Sequence, residues 1–146
     1  MPRQILVLNG PNLNLLGTRE PEIYGSDTID TIIAELRVFA SSRDAEIRTS
    51  QSNGEGELVD ALHDARGWAD GVVFNPGAYT HTSVALRDAI SAIELPVVET
   101  HLSNVHAREE FRQRSLLSAV CLGVVGGFGK HSYVVALDGL LRHLDG

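Results

Sequence analysis

Two histidines and a glutamate stand at the ends of apolar runs, where parallel sheets collect functional side chains. His81 follows the run 71–74, and Glu99 and His101 follow the run 95–98. An imidazole can donate a proton near neutral pH, and a carboxylate two residues earlier on the same strand face can orient it. For these histidines a site role is favoured over a structural one, and the chemistry predicted is acid–base catalysis.

A tyrosine and an arginine in the irregular stretch 10–26 can supply the base. Four residues separate Arg19 from Tyr24, and a guanidinium beside a phenol favours the phenolate, which can abstract a proton. Alternatively, Tyr24 packs over the core edge and Arg19 forms a surface ion pair with Glu20 or Glu22, worth about 0–1 kcal/mol. Spacing alone slightly favours the second interpretation and leaves the first open.

Other common chemistries lack their residues. The sequence has no HExxH pair or cysteine cluster for zinc, and no phosphate-binding glycine motif after the first apolar run. Ser103 lacks the glycines of a nucleophile elbow. The one lysine, Lys130, lies beside glycines rather than at a strand end, so a Schiff base is not expected. We expect no cofactor and no metal.

The elements that position these residues follow from periodicity. Five short apolar runs predict strands, at 5–8, 45–49, 71–74, 95–98 and 119–125. Four segments between or after them repeat apolar residues with helical spacing, at 29–36, 58–65, 86–93 and 133–144. Capping residues precede them at 27–28, 52–53, 80–82 and 132. The alternation predicts a single doubly wound α/β domain over residues 1–146, with a five-stranded parallel sheet of flavodoxin-like order.

A parallel sheet of this kind gathers polar residues at one edge. Amides, hydroxyls and imidazoles follow four of the predicted strands, and we expect them to line one crevice. The residues are Asn9, Asn12 and Asn14, then Gln51, Ser52 and Asn53, then Asn75, Tyr79 and His81, and finally Glu99, His101, Ser103 and Asn104. Asn9, Asn14 and Asn53 have the alternative of local turn or capping roles.

Composition limits the partners and the compartment. The 146 residues carry 12 Lys+Arg against 19 Asp+Glu, a formal charge of −7, which argues against nucleic acid as a partner. No apolar stretch approaches the roughly 20 residues that span a bilayer, and no signal-peptide core is present, so no membrane is expected. Cys121, the one cysteine, lies in an apolar run and suits a reducing compartment. We predict a cytoplasmic protein.

Five sequence blocks, in order, resemble type II 3-dehydroquinate dehydratases over essentially the whole chain. They are LNGPNLNLLG at 8–17, REP at 19–21 with YG at 24–25, QSNGEG at 51–56, NPGAYTHTS at 75–83 and ETHLSN at 99–104. The resemblance implies trans-elimination of water from 3-dehydroquinate through an enolate, giving 3-dehydroshikimate in the shikimate pathway of aromatic amino acid biosynthesis.

The resemblance also implies residue roles. Tyr24 matches the base and Arg19 the group that keeps it deprotonated; Asn12 falls where the enolate is stabilised. His101 matches the general acid, which Glu99 would hold. The substrate carboxylate would be bound by Asn75, Ser103 and the backbone at Leu102, and the substrate hydroxyls by His81 and Arg112.

Assembly is implied as well. The counterpart of Asp88 reaches into a neighbouring subunit's site, and the family forms trimers that usually build a dodecamer. The clearest departure is Ser132, where the family often has glycine; since serine caps helices well, we expect no change of function. Two alternatives are a flavodoxin-like nucleotide or flavin binding module, supported by fold analogy alone, and a purely structural oligomeric subunit.

Overall fold

An all-parallel sheet forms the centre of the computed structural model, which describes residues 1–18, 20–24 and 26–146, with Tyr24 described through its backbone alone. Within these residues there are five strands, in the order β2-β1-β3-β4-β5. Their bounds are Arg3–Asn9 (β1), Ala45–Gln51 (β2), Gly71–Asn75 (β3), Val97–His101 (β4) and Gly123–Gly126 (β5). The flavodoxin-like order confirms the predicted fold class.

Helices connect the strands and cover both faces of the sheet. The α-helices described are Pro21–Tyr24 (α1), Ile29–Ser42 (α2), Glu55–Ala65 (α3), Val84–Ile93 (α4) and His131–Asp145 (α5). Short 3-10 helices lie in the loops, at Leu13–Leu15, Gly77–His81, Val105–Ala107, Glu110–Arg112 and Ser118–Val120. No helix in the described part of the chain is both long and apolar enough to cross a bilayer.

The core has two layers, one on each face of the sheet. Alternate residues of β1 and β3 point to opposite faces, so that Val7 packs with α2 and α5, whereas Leu6 and Phe74 pack with α3 and α4. Because both faces are covered, the central strands are continuous apolar runs between their ends, which is why these runs predicted strands. The polar residues of these strands collect at their carboxyl ends.

Two helix starts show how local chemistry sets the boundaries. Thr28 caps α2 as predicted: its side chain accepts from the Thr31 N–H, and the Thr31 side chain accepts from the Thr28 N–H. For α4 the predicted cap at 80–82 is wrong by a residue, because Ser83 accepts the Leu86 N–H at 2.9 Å. Residues up to His81 belong instead to the preceding 3-10 helix.

The expected caps of α3 and α5 are also corrected. Gly54, and not residues 52–53, stands at the N-cap of α3. At α5 the N-cap is Lys130, and Ser132 lies inside the first turn. The buried Ser132 hydroxyl still binds backbone, since it accepts the N–H of Phe128 at 3.0 Å. Its contact therefore fixes the loop before the helix.

The first three strands extend one or two residues beyond the predicted runs 5–8, 45–49 and 71–74, and the last two predicted strands are displaced along the chain. The fourth strand was expected at 95–98, but β4 continues through Glu99 and His101, because polar residues are buried at the strand end and interrupt the apolar pattern. The fifth was expected at 119–125, but residues 118–120 form a 3-10 turn and the strand begins at Gly123. An apolar run cannot distinguish a buried turn from a strand.

Candidate active site

A cleft of about 140 Å³ opens at the carboxyl edge of the sheet. It unites side chains from the loops after β1, β3 and β4, as the parallel strand ends predict. The expectation is wrong for the end of β2, because Gln51, Ser52 and Asn53 do not line this cleft. The predicted site residues that line it are Asn12, Asn75, His81, His101, Leu102, Ser103 and Arg112. Its size and polar lining suit one small polar molecule.

The Glu99–His101 pair forms the base of the cleft. Glu99 and His101 are two residues apart on β4, so their side chains lie on the same face of the strand. The His101 Nε2 lies 2.5 Å from Oε2 of Glu99. Glu99 is 1% exposed, whereas His101 reaches the cleft. Because an ionised carboxylate only accepts, Nε2 carries the hydrogen of this bond, and Nδ1 is left to exchange a proton with a bound molecule.

The charge state of Glu99 results from two opposed effects. Burial raises the pKa of its carboxyl, but the hydrogen bond and charge of His101, together with hydrogen bonds from Ser118 and Thr80, outweigh burial and hold the pKa below its ordinary value. A buried carboxylate is thus kept anionic directly behind the imidazole.

Asn75 is locked by a buried chain of hydrogen bonds. Its Nδ2 donates to the Tyr133 hydroxyl at 2.9 Å, and that hydroxyl donates to Oδ1 of Asn9 at 2.6 Å. The Asn75 Oδ1 accepts the N–H of Gly77 at 3.1 Å. The Asn75 amide oxygen and one hydrogen on Nδ2 therefore have protein partners. The second hydrogen on Nδ2 is available for an acceptor in the cleft.

Asn12 is held by its backbone. It adopts φ 68°, in the left-handed region that asparagine tolerates better than most residues. Its N–H donates to Oδ1 of Asn53 at 3.0 Å, and Gln51 donates to that same oxygen at 3.2 Å. The Asn12 side chain is exposed at the cleft mouth. The hydrogen bonds of Asn53 are therefore those of the local structural role that was its alternative interpretation.

The opposite wall carries an imidazole and two guanidinium groups. The His81 Nδ1 lies 2.8 Å from the carbonyl oxygen of Arg114, so Nδ1 bears the proton and Nε2 can accept from a ligand. Arg112 donates from Nε to Glu109 at 3.0 Å. Arg108, which sequence reasoning missed, also lines the cleft and donates to the Ser103 hydroxyl at 3.3 Å.

Of the predicted residues whose side chains the structure describes, Glu99 and Asp88 do not line the cleft; Glu99 lies buried behind His101. Arg19 and the side chain of Tyr24 lie outside the described residues, and their roles stay predictions. Asp88 is exposed on α4 and does not line the cleft of its own chain. Among the described residues, no group of three or more His, Cys, Asp or Glu side chains is arranged to hold a metal ion.

Comparison with known proteins identifies relatives over nearly the whole chain. The family model described as dehydroquinase class II matches residues 3–141. A 3-dehydroquinate dehydratase of Exiguobacterium sp. is 59% identical over 140 residues, covering 96% of this chain and 95% of the relative. A 3-dehydroquinate dehydratase of Jannaschia sp. is 57% identical over 141 residues, covering 97% of this chain and 95% of the relative.

A solved structure agrees with the fold. The crystal structure of the type II dehydroquinase from Butyrivibrio crossotus has a TM-score of 0.93 to this chain at 42% identity. The likeness covers 95% of this chain and 97% of that one.

The buried Asn75–Tyr133–Asn9 chain generates a stability prediction. Tyr133→Phe removes the hydroxyl and leaves an amide hydrogen and an amide oxygen without their partner, which we expect to lower the free energy of unfolding by about 1–3 kcal/mol. Denaturant unfolding of the variant and the parent measures this difference. Tyr79→Phe is the matched control, since the Tyr79 hydroxyl donates to Asn53 at a part-exposed position; equal losses for the two variants would contradict the prediction.

Proposed function

The chain belongs to the class II dehydroquinase family, and from this premise we propose how the residues of its cleft divide the reaction between them. Its activity is that of a type II 3-dehydroquinate dehydratase, a hydro-lyase. Nothing among the matched family and relatives supports the flavin- or nucleotide-binding alternative. The observation that carries the proposal is the buried Glu99 carboxylate held against an imidazole that opens onto the cleft.

In the proposed first step Tyr24 removes a proton from the carbon beside the substrate ketone. Arg19, five residues earlier, keeps the phenol ionised, because a nearby cation stabilises the phenolate. Support comes from sequence and from the position of the helix that carries Tyr24. Ile23 of α1 lines a depression together with Ser103 and Arg108, both of which border the active-site cleft.

The second element is stabilisation of the enolate. The negative charge moves from the abstracted position to the ketone oxygen, where a preorganised hydrogen-bond donor has its largest effect on the barrier. Asn12 is proposed to provide this donor, through a water or directly. Its backbone is fixed by Asn53, so the side chain is offered to the cleft without reorganisation of the loop.

The third element is departure of the hydroxyl on the next carbon. His101 donates a proton to that oxygen as the carbon–oxygen bond breaks, and the electron pair of the enolate forms the new double bond. The product is 3-dehydroshikimate and one water. Glu99 holds the imidazole in place for the transfer through its hydrogen bond to Nε2.

Substrate binding falls to the remaining lining residues. We assign the carboxylate of 3-dehydroquinate to Asn75, Ser103 and the backbone at Leu102, and its hydroxyls to His81 and Arg112. These residues line a cleft with two guanidinium groups, as recognition of an anionic sugar-like acid requires. The chemistry needs neither a metal nor a cofactor.

Assembly and location complete the proposal. Residues 1–146 act as one catalytic domain in the shikimate pathway, as trimers that form a dodecamer. Support for assembly comes from the edge of the sheet, where Leu122 and Val124 are about half exposed beside and within β5. Cys121, half-buried and with no second cysteine to pair with, suits the cytoplasm.

The activity itself is tested by incubating the purified protein with 3-dehydroquinate. A growing absorbance of a conjugated enone is expected, because elimination places the new double bond next to the ketone. Folded protein that produces no such signal would overturn the assigned function. Purification with a bound flavin or a thermal shift with flavin mononucleotide would instead support the binding-module alternative.

The base is tested by Tyr24→Phe, which keeps the ring and removes the ionisable oxygen. We expect kcat to fall by about 10²–10⁴-fold, the usual contribution of a positioned acid or base. Substrate affinity, measured by calorimetry, is expected to change little. Tyr79→Phe serves as the control for a lost tyrosine hydroxyl and keeps most of its activity; an active Tyr24→Phe would eliminate Tyr24 as the base.

The role of Asp88 in a neighbouring subunit is tested by complementation. Asp88→Ala and Tyr24→Phe chains are each expected to lose activity, by roughly tenfold or more for Asp88→Ala. When the two variants are unfolded, mixed and refolded together, sites that combine an intact Tyr24 from one chain with an intact Asp88 from the next should regain turnover. Mixtures no more active than the average of the separate variants would show that Asp88 does not act across an interface. Light scattering on the same samples measures the assembly.

A further inference from the structure

We propose that Thr80, Ser115 and Ser118, here called the hydroxyl cluster, are positioning residues that hold the Glu99 carboxylate anionic and so determine how readily His101 releases its proton. This inference rests on the function proposed above, because it concerns the acid of that reaction. None of the three side chains lines the cleft, so the cluster acts on the substrate through Glu99 and His101.

The hydroxyl cluster surrounds both carboxylate oxygens. Thr80 donates to Oε2 of Glu99 at 2.5 Å, the oxygen that also accepts from His101. Ser118 donates to Oε1 at 2.6 Å, and Ser115 lies 3.1 Å from each oxygen. A carboxylate that is 1% exposed has therefore exchanged water for protein donors on both of its oxygens.

The donors are themselves fixed by the main chain. The Ser115 oxygen accepts the N–H groups of Leu117 and Ser118 at 3.1 and 3.0 Å, which directs its own hydrogen away from them. The Thr80 carbonyl accepts the N–H of Leu116 at 2.7 Å, so the segment 115–118 is tied to the 3-10 helix of residues 77–81. The Ser115 hydroxyl also lies 2.7 Å from Oγ1 of Thr80. Because Thr80 gives its one hydrogen to Glu99, the Ser115 hydrogen is shared between Thr80 and Glu99, whereas Thr80 and Ser118 donate to Glu99 directly.

Two titratable groups face Glu99 among the described residues. One is His101 on its own strand, and the other is Cys121, which follows the turn 118–120. Burial, and after it the neighbouring carboxylate, raises the pKa of the Cys121 thiol to about 12, so this group stays neutral at physiological pH. The negative charge of Glu99 is then balanced by the imidazole of His101 and by the dipoles of the hydroxyl cluster.

The sign of the expected effect follows from the charge states. The pair carries net charge −1 after it has given up its last proton, and the hydroxyl cluster stabilises that state by donating to Glu99. Removing a donor destabilises the −1 state more than the neutral, proton-bearing state, so the pair keeps its last proton to a higher pH. A pair that holds its proton more tightly is a weaker acid towards the leaving hydroxyl.

The test is Ser118→Ala. We expect kcat for 3-dehydroquinate to fall roughly tenfold, the loss of one hydrogen bond to a charged group, with KM nearly unchanged. The basic limb of the pH profile of kcat should move to higher pH. Ser118→Thr keeps the hydroxyl and should restore both the rate and the profile, which a merely structural role of the side-chain volume would not predict.

Two controls separate charge stabilisation from general loss of structure. Ser83→Ala removes another buried serine that donates to a carboxylate, that of Glu55, without touching Glu99; it should lower stability and leave the pH profile in place. In a Glu99→Gln background the effect of Ser118→Ala on kcat should disappear, because the residue through which Ser118 acts has lost its charge.

A readout that needs no turnover completes the experiment. The titration of the His101 imidazole, followed by NMR and assigned with His101→Asn, should move to higher pH in Ser118→Ala. An unmoved titration in folded Ser118→Ala overturns the inference, as does an unchanged pH profile. Parent protein that fails to convert 3-dehydroquinate contradicts the proposed function instead, and the NMR titration still decides whether the hydroxyl cluster controls the pair.

Discussion

The interaction on which the rest of the structure depends is the burial of the Glu99 charge behind His101. Removing a carboxylate from water is costly unless donors replace the lost hydration. Here the replacement comes from three regions of the chain: His101 on β4, the 3-10 helix that ends at His81, and the segment 115–118. The loops after β3 and before β5 are thus constrained by one carboxylate. Its position at the carboxyl end of a parallel strand directs the imidazole into the cleft.

The binding side of the cleft is organised by a second buried polar chain. Asn9 and Asn75 are register partners at the ends of β1 and β3. The hydroxyl of Tyr133, on α5, forms hydrogen bonds with both side chains. Gly10 lets the two loops approach closely: a Cβ at this position would lie 2.5 Å from the carbonyl oxygen of Pro76. The cleft amides are therefore part of the sheet's packing, and a ligand meets donors that are already oriented.

Sequence reasoning predicted what depends on local pattern and missed what depends on distant contacts. The helices α2 to α5 and the sheet order follow from periodicity and from the apolar runs between them. The end of β4 does not follow from the apolar pattern, because Thr100 and His101 are polar residues that are buried beside the cleft. Arg108 was missed because its segment reads as a polar loop, although it stands four residues before Arg112. Ser115 and Ser118 carry no signal at all, since their partner lies 16 and 19 residues earlier.

The proposed acid and the proposed base are held in different ways. The acid lies on a central strand with its carboxylate fully enclosed, so its geometry is fixed before substrate arrives. The proposed base lies on α1, a helix of four residues, which is too short to be stable through its own hydrogen bonds. Contacts with other elements must therefore determine where α1 lies, and Ile23 of α1 lines one depression together with Ser103 and Arg108. The proposed acid is thus held by a buried carboxylate within the sheet, whereas the position of the proposed base is set by contacts that α1 makes with the rest of the chain.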